Sequence, residues 1–383
     1  MGESPSLAQM IWPRSAAASR VHRFVSEFLG LEKSIMREGQ GETIKYRVFA
    51  GTWNVGGEAP PDDLDLEGWL DTKADSYDIY VLGFQEIVQL NARNVLGPKQ
   101  RSAAMKWQLL IEDALNNRRS AQDGGGEEAM DQERDVFRCV MSKQMVGIFV
   151  SVWTRSGLRR HVRHAGASTV GAGVLGRLGN KGAVSVRFLL HDTSFCFVCC
   201  HLASGGEVGD ALRRNADAAD ILSRTSFLNS SGGVPAPVDL PKKILDHDRV
   251  VLLGDLNYRI AMDDGEARQL VRARKWSMLL ENDELLLELS EGRQFYGWRE
   301  GVVTFAPTYK YHRNSDKLYW CADTGHRRQR QHRAPAWCDR ILWRGKGIRQ
   351  IRYERCGGYR LSDHRPVRAM FHAVCEVVES KHG

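Results

Sequence analysis

Apolar and polar positions along this chain fall into short runs divided by long polar stretches. Helical spacing covers Ala17–Arg37, and little else in residues 1–43 can be placed. From "TIKYRVFAGTWNV" onward the alternation is strand-like, and "SYDIYVLGFQE" reads as a continuous buried strand. Asp62 to Asp71 reads as an acidic, proline-led loop, and Ser102–Arg119 as an amphipathic helix. The Gly-rich, charged stretch 120–135 reads as a mobile surface insert. Strands are predicted at Met145–Trp153, Ala183–Leu190 and Ser194–His201, followed by helical spacing over Glu207–Leu228 and a loop over "NSSGGVPAPVDLP". Val250–Leu253 is a further strand and Arg268–Leu289 a helix. The last strands are Trp337–Trp343, Ile348–Tyr353 and Pro366–His372. Many short strands with interspersed helices, lacking strict β-α alternation, predict two stacked sheets with helices outside rather than a doubly wound parallel sheet. One domain over 44–376 is expected, with an N-terminal extension at 1–43 and a tail at 377–383.

A chain of 383 residues with 42% hydrophobic content can bury a large core. The apolar runs, "SFCFVCC" among them, are too short to span a bilayer, and the N-terminus carries no basic-then-apolar signal, so a cytoplasmic or nuclear location is expected. Eight cysteines scattered without zinc-finger spacing fit reduced, buried thiols. The net charge of +7 is unevenly spread. Arg293 to Arg368 holds 18 Lys and Arg against 6 Asp and Glu, a local +12 that leaves −5 for the remainder. A basic third on a mildly acidic body points to an anionic ligand: phosphates, nucleic acid or a charged membrane surface.

Candidate chemistry gathers where strands end. "VFAGTWN" ends on Asn54, "IYVLGFQE" on Glu86, "FCFVCCH" on His201 and "VVLLGDLN" on Asp255 and Asn257, while "LSDHRPV" sets Asp363 and His364 just before a strand. One such polar edge is ordinarily a capped turn. Five edges made of acids, amides and imidazoles are better explained by one pocket in which they satisfy each other. The chain has no serine nucleophile elbow, Walker loop, dinucleotide fingerprint or thiolate-rich zinc set. Oxygen ligands with amides and histidines suit Mg²⁺, and metal-assisted phosphoester hydrolysis is the natural reaction.

The motifs "GTWNVGG", "FQEIV", "GNKGAV", "CHLASG", "GDLNYR", "PTYKY", "PAWCDRILW" and "SDHRPV" occur in the order found in inositol polyphosphate 5-phosphatases, whose plant members the chain most resembles. The resemblance runs from about Lys45 to about His372 and implies the α/β fold of the endonuclease/exonuclease/phosphatase superfamily. That fold is a four-layer α/β/β/α sandwich of two mixed sheets flanked by helices, as in DNase I. It implies Mg²⁺-dependent hydrolysis of the 5-phosphate, with Glu86 as a metal ligand, Asn54 beside the same ion and Asp363 near it. Asp255 would orient and deprotonate the attacking water, and Asn257 would hold water or phosphate oxygens. His201 would contact the scissile phosphate. His364, oriented by Asp339, would stabilise charge on the phosphoryl oxygens.

The resemblance also implies that Tyr309, Lys310 and Arg333 grip the 4-phosphate, with Asn180 and Lys181 as donors near the site. Gln331 departs from the family pattern, in which many members carry a second basic residue there; Arg327, Arg328 and Arg330 stand nearby. Substrates would be phosphatidylinositol 4,5-bisphosphate and related lipids, soluble inositol 1,4,5-trisphosphate, or both, with an anionic membrane surface as peripheral contact. Two other readings are a nuclease of the same fold and a non-catalytic phosphoinositide-binding relative. "PTYKY" and "PAWCDRILW" argue against nucleic acid as partner, and the intact set of polar strand ends argues against loss of activity. Trp53, Trp337 and Trp343 are expected to be core aromatics.

Overall fold

The structure, a computed structural model, describes residues 42–73, 77–89, 99–116, 136–172, 180–207, 209–227, 240–319 and 334–377. The predicted helix at Ala17–Arg37, the insert at 120–135, most of the "NSSGGVPAPVDLP" loop and the Arg327–Arg333 stretch with Gln331 lie outside the described residues.

Among the described residues, twelve strands form two six-stranded sheets. In chain order they are β1 (Glu42–Asn54), β2 (Ile79–Gln85), β3 (Phe137–Met145), β4 (Ile148–Arg155), β5 (Val162–Gly171), β6 (Gly182–Leu190), β7 (Thr193–His201), β8 (Arg249–Asp255), β9 (Arg299–Glu300), β10 (Asp339–Arg344), β11 (Ile348–Arg355) and β12 (Val367–Val377). One sheet runs β11-β12-β1-β2-β4-β3 and the other β5-β6-β7-β8-β10-β9. Both are mixed: β1 pairs parallel with β2 and β7 with β8, and the other pairings are antiparallel. The helices are α1 (Glu67–Leu70), α2 (Lys99–Asn116), α3 (Asp210–Arg224), α4 (Asp264–Arg272), α5 (Trp276–Leu280) and α6 (Glu284–Glu291). Helices α1 and α2 pack outside the first sheet and α3 outside the second. No helix among the described residues is long and apolar enough to cross a membrane.

The sheets meet over Val48, Ala50, Val81, Val150, Val184, Val198, Leu253 and Ile341, all buried. Each of the valine, leucine and isoleucine side chains among them contributes about 1.5–3 kcal/mol on burial. β7 and β8 are buried on both faces, which is why they read as unbroken apolar runs rather than alternation. A second, aromatic cluster fills the space between the first sheet and its helices. There Trp53 meets Trp69, Trp107 and Tyr359 edge-on at centroid distances of 5.6–5.8 Å. Trp53, Trp337 and Trp343 are core residues, as expected. The seven cysteines among the described residues are free thiols.

Four elements differ from the sequence reading. Met145–Trp153 is not one strand, because the chain turns at Val146, whose φ is 52°, and splits it between β3 and β4. The stretch of β5, "VRHAGASTVG", carries too few apolar positions to show its pairing with β6. The acidic loop before Asp71 contains α1. Arg268–Leu289 is not one helix but parts of three: Asp283 stops the run by bridging to Ile260 and accepting the Leu286 N–H as cap of α6.

Candidate active site

Four strands run in the same sense and end together, which places Asn54 (β1), Glu86 (just after β2), His201 (β7) and Asp255 (β8) along one edge of the sandwich. Asp339 opens the antiparallel β10 opposite Asp255, and His201 stands opposite Asp255 on the other side. His364 arrives from the loop before β12. Backbone geometry serves the same purpose. Glu86 and Asn257 adopt left-handed φ values of 55° and 58°, which turn their side chains out of the strand direction at a cost of about 1–3 kcal/mol for a residue such as Glu. Gly254, with φ 147°, lets β8 approach β7 where a Cβ would lie 2.0 Å from the Cys200 carbonyl oxygen.

Asp255 is the hub. Its Oδ2 accepts from Asn54 Nδ2 at 2.9 Å and lies 3.3 Å from His201 Nε2 and 3.9 Å from His364 Nε2. Its Oδ1 accepts the Asn257 N–H at 3.1 Å. Burial opposes the charge on this carboxylate, but the imidazoles of His364 and His201 and the Lys181 ammonium outweigh it and hold the group well below the usual carboxylate range. Asn54 Nδ2 also faces Glu86 Oε1 at 3.3 Å, and the Asn54 oxygen accepts from Gly56 N at 2.9 Å. The Lys181 ammonium packs against His201 Nε2. Its pKa is lowered by burial, against the pull of Asp255 and Glu86.

His364 is the cation of the site. Its Nδ1 donates to Asp339 Oδ2 at 2.8 Å, and the Trp53 indole N–H donates to its backbone carbonyl at 3.4 Å. Burial disfavours its charge, yet the carboxylates of Asp339 and Asp255 raise its pKa to about 10. Asp255, Asp339 and His364 bring ligand-type atoms within 4.8 Å of one another. Within that trio the His364 Nδ1 is engaged by Asp339, and its Nε2 faces Asp255. Among the acids, Glu86 is 30% exposed while Asp255 is 2% exposed, so Glu86 is the carboxylate open to an incoming ion.

An outer arm follows from the 309–319 hairpin. The Tyr309 ring lies tilted by 38° against that of His364 at a centroid distance of 4.5 Å. The Lys310 ammonium pairs with Asp363 at 3.1 Å and sits 5.5 Å over the Tyr309 ring and 5.4 Å over that of Tyr319. Burial raises the Asp363 carboxyl pKa, but His364 and Lys310 bring it below the ordinary value.

Comparison with known proteins matches residues 51–370 to the family described as Endonuclease/Exonuclease/phosphatase family 2. The type IV inositol polyphosphate 5-phosphatase 9 of Arabidopsis thaliana is 50% identical over 358 residues, covering 92% of this chain and 83% of the relative. The type I inositol polyphosphate 5-phosphatase 8 of the same plant is 45% identical over 351 residues, covering 86% and 71%. The chain belongs to the inositol polyphosphate 5-phosphatase family. Among solved structures, the inositol polyphosphate 5-phosphatase domain of SPsynaptojanin, in complex with inositol (1,4)-bisphosphate and a calcium ion, superposes with a TM-score of 0.71 at 30% identity, covering 94% of this chain and 92% of that one. The expected α/β fold of two mixed sheets with flanking helices is the fold of the family. As a member, the chain is an enzyme, a phosphoric monoester hydrolase acting as an inositol polyphosphate 5-phosphatase.

Asn54, Glu86, His201, Asp255, Asn257, Asp339 and His364 meet at one edge, as do Lys181 and Tyr309 with them, while Asn180 lies beside Lys181, partly exposed, before β6. Asn54 and Asp363, expected beside and near the metal, each have other partners in the structure. Asn54 turns its nitrogen, not its oxygen, to the two carboxylates, because its oxygen is taken by Gly56 N–H. Asp363 is held by Lys310 at 3.1 Å. Arg333 lies outside the described residues. Sequence reasoning missed the supporting face of α3. Asp210, Arg214 and Asp217 are buried, with Arg214 donating to Glu284 at 2.7 Å and Asp217 accepting from Ala203 N at 2.8 Å. The signal was present: charges at i, i+4 and i+7 lie on one helical face, whereas Leu212 is 69% exposed.

Proposed function

We propose that this enzyme removes the 5-phosphate of phosphatidylinositol 4,5-bisphosphate and related phosphoinositides, of soluble inositol 1,4,5-trisphosphate, or of both, with Mg²⁺ as cofactor and residues 44–376 as catalytic domain. The observation that carries this reading is the convergence on Asp255 Oδ2 of Asn54, His201 and His364 within 3.9 Å, a buried, charged cluster with an ionised acceptor beside a fixed cation. Asp255 orients the attacking water as acceptor and takes its proton. Its low basicity suits a loose phosphoryl-transfer transition state, in which the proton leaves late. His364 presents a positive charge to the phosphoryl oxygens, and Asp339 keeps that ring protonated and oriented. Asn257 and His201 donate to phosphate oxygens.

The donor set fits a hard cation through its carboxylate oxygens, and the partly exposed Glu86 would hold it, with Asn54 beside it and Asp363 near. When bound, Mg²⁺ neutralises phosphate charge and lowers the pKa of a coordinated water. The calcium ion named with the SPsynaptojanin domain and its inositol bisphosphate supports both a divalent site and an inositol phosphate ligand for this chain. Lys310 exchanges Asp363 for the 4-phosphate next to Tyr309, a grip in which the resemblance also gives Arg333 a part, and Asn180 and Lys181 serve as donors near the site.

The test is phosphate release with Mg²⁺ from soluble inositol 1,4,5-trisphosphate and from vesicles carrying phosphatidylinositol 4,5-bisphosphate, with Asp255→Ala and EDTA as controls. Release from vesicles alone makes this a membrane-surface enzyme. Release from the soluble compound alone makes the basic third a clamp for ring phosphates. Metal-independent release, or none from either substrate, overturns the proposal.

A further inference from the structure

Arg259, the last residue of "GDLNYR", lies outside the hub but touches both of its halves. It is 8% exposed, and its contacts are specific. Nη2 donates to Asn257 Oδ1 at 2.7 Å, and Nε donates to the Gly205 carbonyl at 3.2 Å. The guanidinium carbon stands 4.7 Å from the centroid of Tyr309, the ring that lies tilted against His364. The backbone is pinned as well, since Arg259 N donates to Glu284 Oε2 at 2.9 Å, the same oxygen that receives Arg214.

We infer that Arg259 is a positioning residue that decides which end of the Asn257 amide faces the reacting phosphate and sets the Tyr309 ring against His364. A guanidinium can only donate, so the amide end it touches must be the oxygen. The nitrogen end then points the other way, where Nδ2 donates one hydrogen to the Leu202 carbonyl at 3.1 Å and keeps its second for a ligand. Without the guanidinium, the Leu202 carbonyl alone would remain to tell apart two amide ends of nearly the same shape. With Arg259 in place, Asn257 offers an N–H and no acceptor. The site therefore divides its work: Asp255 accepts from water, and Asn257 donates to a phosphoryl oxygen. Lysine would not replace this arginine, since a point charge cannot hold the Gly205 carbonyl and the Asn257 oxygen from one rigid fork while standing over an aromatic ring.

The inference rests on the proposed role of Asn257, so the experiment has one readout that needs turnover and one that does not. Kinetics on inositol 1,4,5-trisphosphate with Mg²⁺ compare wild type, Arg259→Met, Asn257→Ala and the double variant. Arg259→Met is expected to lower kcat by about 10–100-fold with KM within about twofold, as for loss of one aligned donor. In the Asn257→Ala background it should cost less than about threefold more, because the group it positions is gone. Losses that multiply in the double variant overturn the inference. Independently of activity, selective ¹⁵N-asparagine labelling reads the two side-chain amide protons of Asn257. They should be distinct in wild type and shift or merge in Arg259→Met. Unchanged signals in the variant overturn the inference even if wild type shows no phosphatase activity. Should Arg259→Met not fold, Arg259→Lys is read by the same two measurements with the same outcomes deciding.

Discussion

At the scale of single residues, the site is a balance of a few charges held close together. Asp255 is 2% exposed yet ionised, because His364, His201 and Lys181 surround it. Asp255→Asn keeps the shape and removes the ionised acceptor, so kcat should fall by about 10²–10⁴-fold with the circular dichroism spectrum unchanged. Activity within tenfold of wild type would remove Asp255 from the chemistry. His364 supplies a pH signature. Its pKa of about 10 lies above the ordinary 6.5, so its charged pairing with Asp339 stabilises the fold fully below pH about 6.5. That contribution is lost as pH rises through about 10. In ¹³C NMR of labelled histidine, the His364 ring should show no transition near neutrality, and Asp339→Asn should bring one down towards it. A transition near pH 6.5 in wild type would contradict the assignment of His364 as the standing cation.

At the scale of elements, strand ends and their spacing decide where the charges go. β8 can deliver Asp255 because Gly254 allows it to press against β7. Gly254→Ala forces a Cβ to within 2.0 Å of the Cys200 carbonyl, and it should destabilise the fold by roughly 1–3 kcal/mol in urea titration. A loss of activity at temperatures where the variant remains folded should accompany it, since Asp255 moves with the strand. β10 is held by a different device. Arg340, fully buried, donates to both oxygens of Asp283 at 2.9 Å and to Glu300, and the Tyr353 hydroxyl donates to Glu300 at 2.8 Å. The network ties α6, β9, β10 and β11 together one residue from Asp339. Arg340→Met leaves two buried carboxylates without their cation and should cost about 3–5 kcal/mol. Equal stability of the variant in chemical denaturation would mean that the carboxylates are relieved by protonation alone.

At the scale of the whole molecule, charge is segregated, with +12 between Arg293 and Arg368 on a body that nets −5. The described part of that third supplies Lys310 and the arginines around Tyr311, among them Arg355 and Arg365, whose guanidinium carbons lie 5.6 and 4.0 Å from its ring. A polyanionic substrate meeting such a field should bind less well as salt screens it. The Debye length falls from about 30 Å at 0.01 M to about 10 Å at 0.1 M and about 3 Å at 1 M. Raising salt over this range should therefore raise KM for inositol 1,4,5-trisphosphate severalfold and leave kcat nearly constant. A KM indifferent to salt would confine the basic third to structural duties.

The polar strand ends were legible in the chain because chemistry at the edge of an apolar run is a local pattern. Asn54, Glu86, His201, Asp255, Asn257 and His364 each interrupt or follow a run that a buried strand requires, and those runs determined the sheets. What no local pattern could carry is which atom of each group faces which neighbour. The turning of the Asn54 nitrogen towards two carboxylates, the hold of Lys310 on Asp363 and the lock of Arg259 on Asn257 are contacts between side chains from different strands and loops, or set by a left-handed residue. The same holds for β5, where pairing with β6 compensates for weak periodicity, and for the buried charges of α3, which are tolerable only because Glu284 and backbone amides await them. Periodicity records what a residue must avoid, namely water or its absence. Partner choice is an energy difference between whole arrangements, and only the packed tertiary structure contains the terms that decide it.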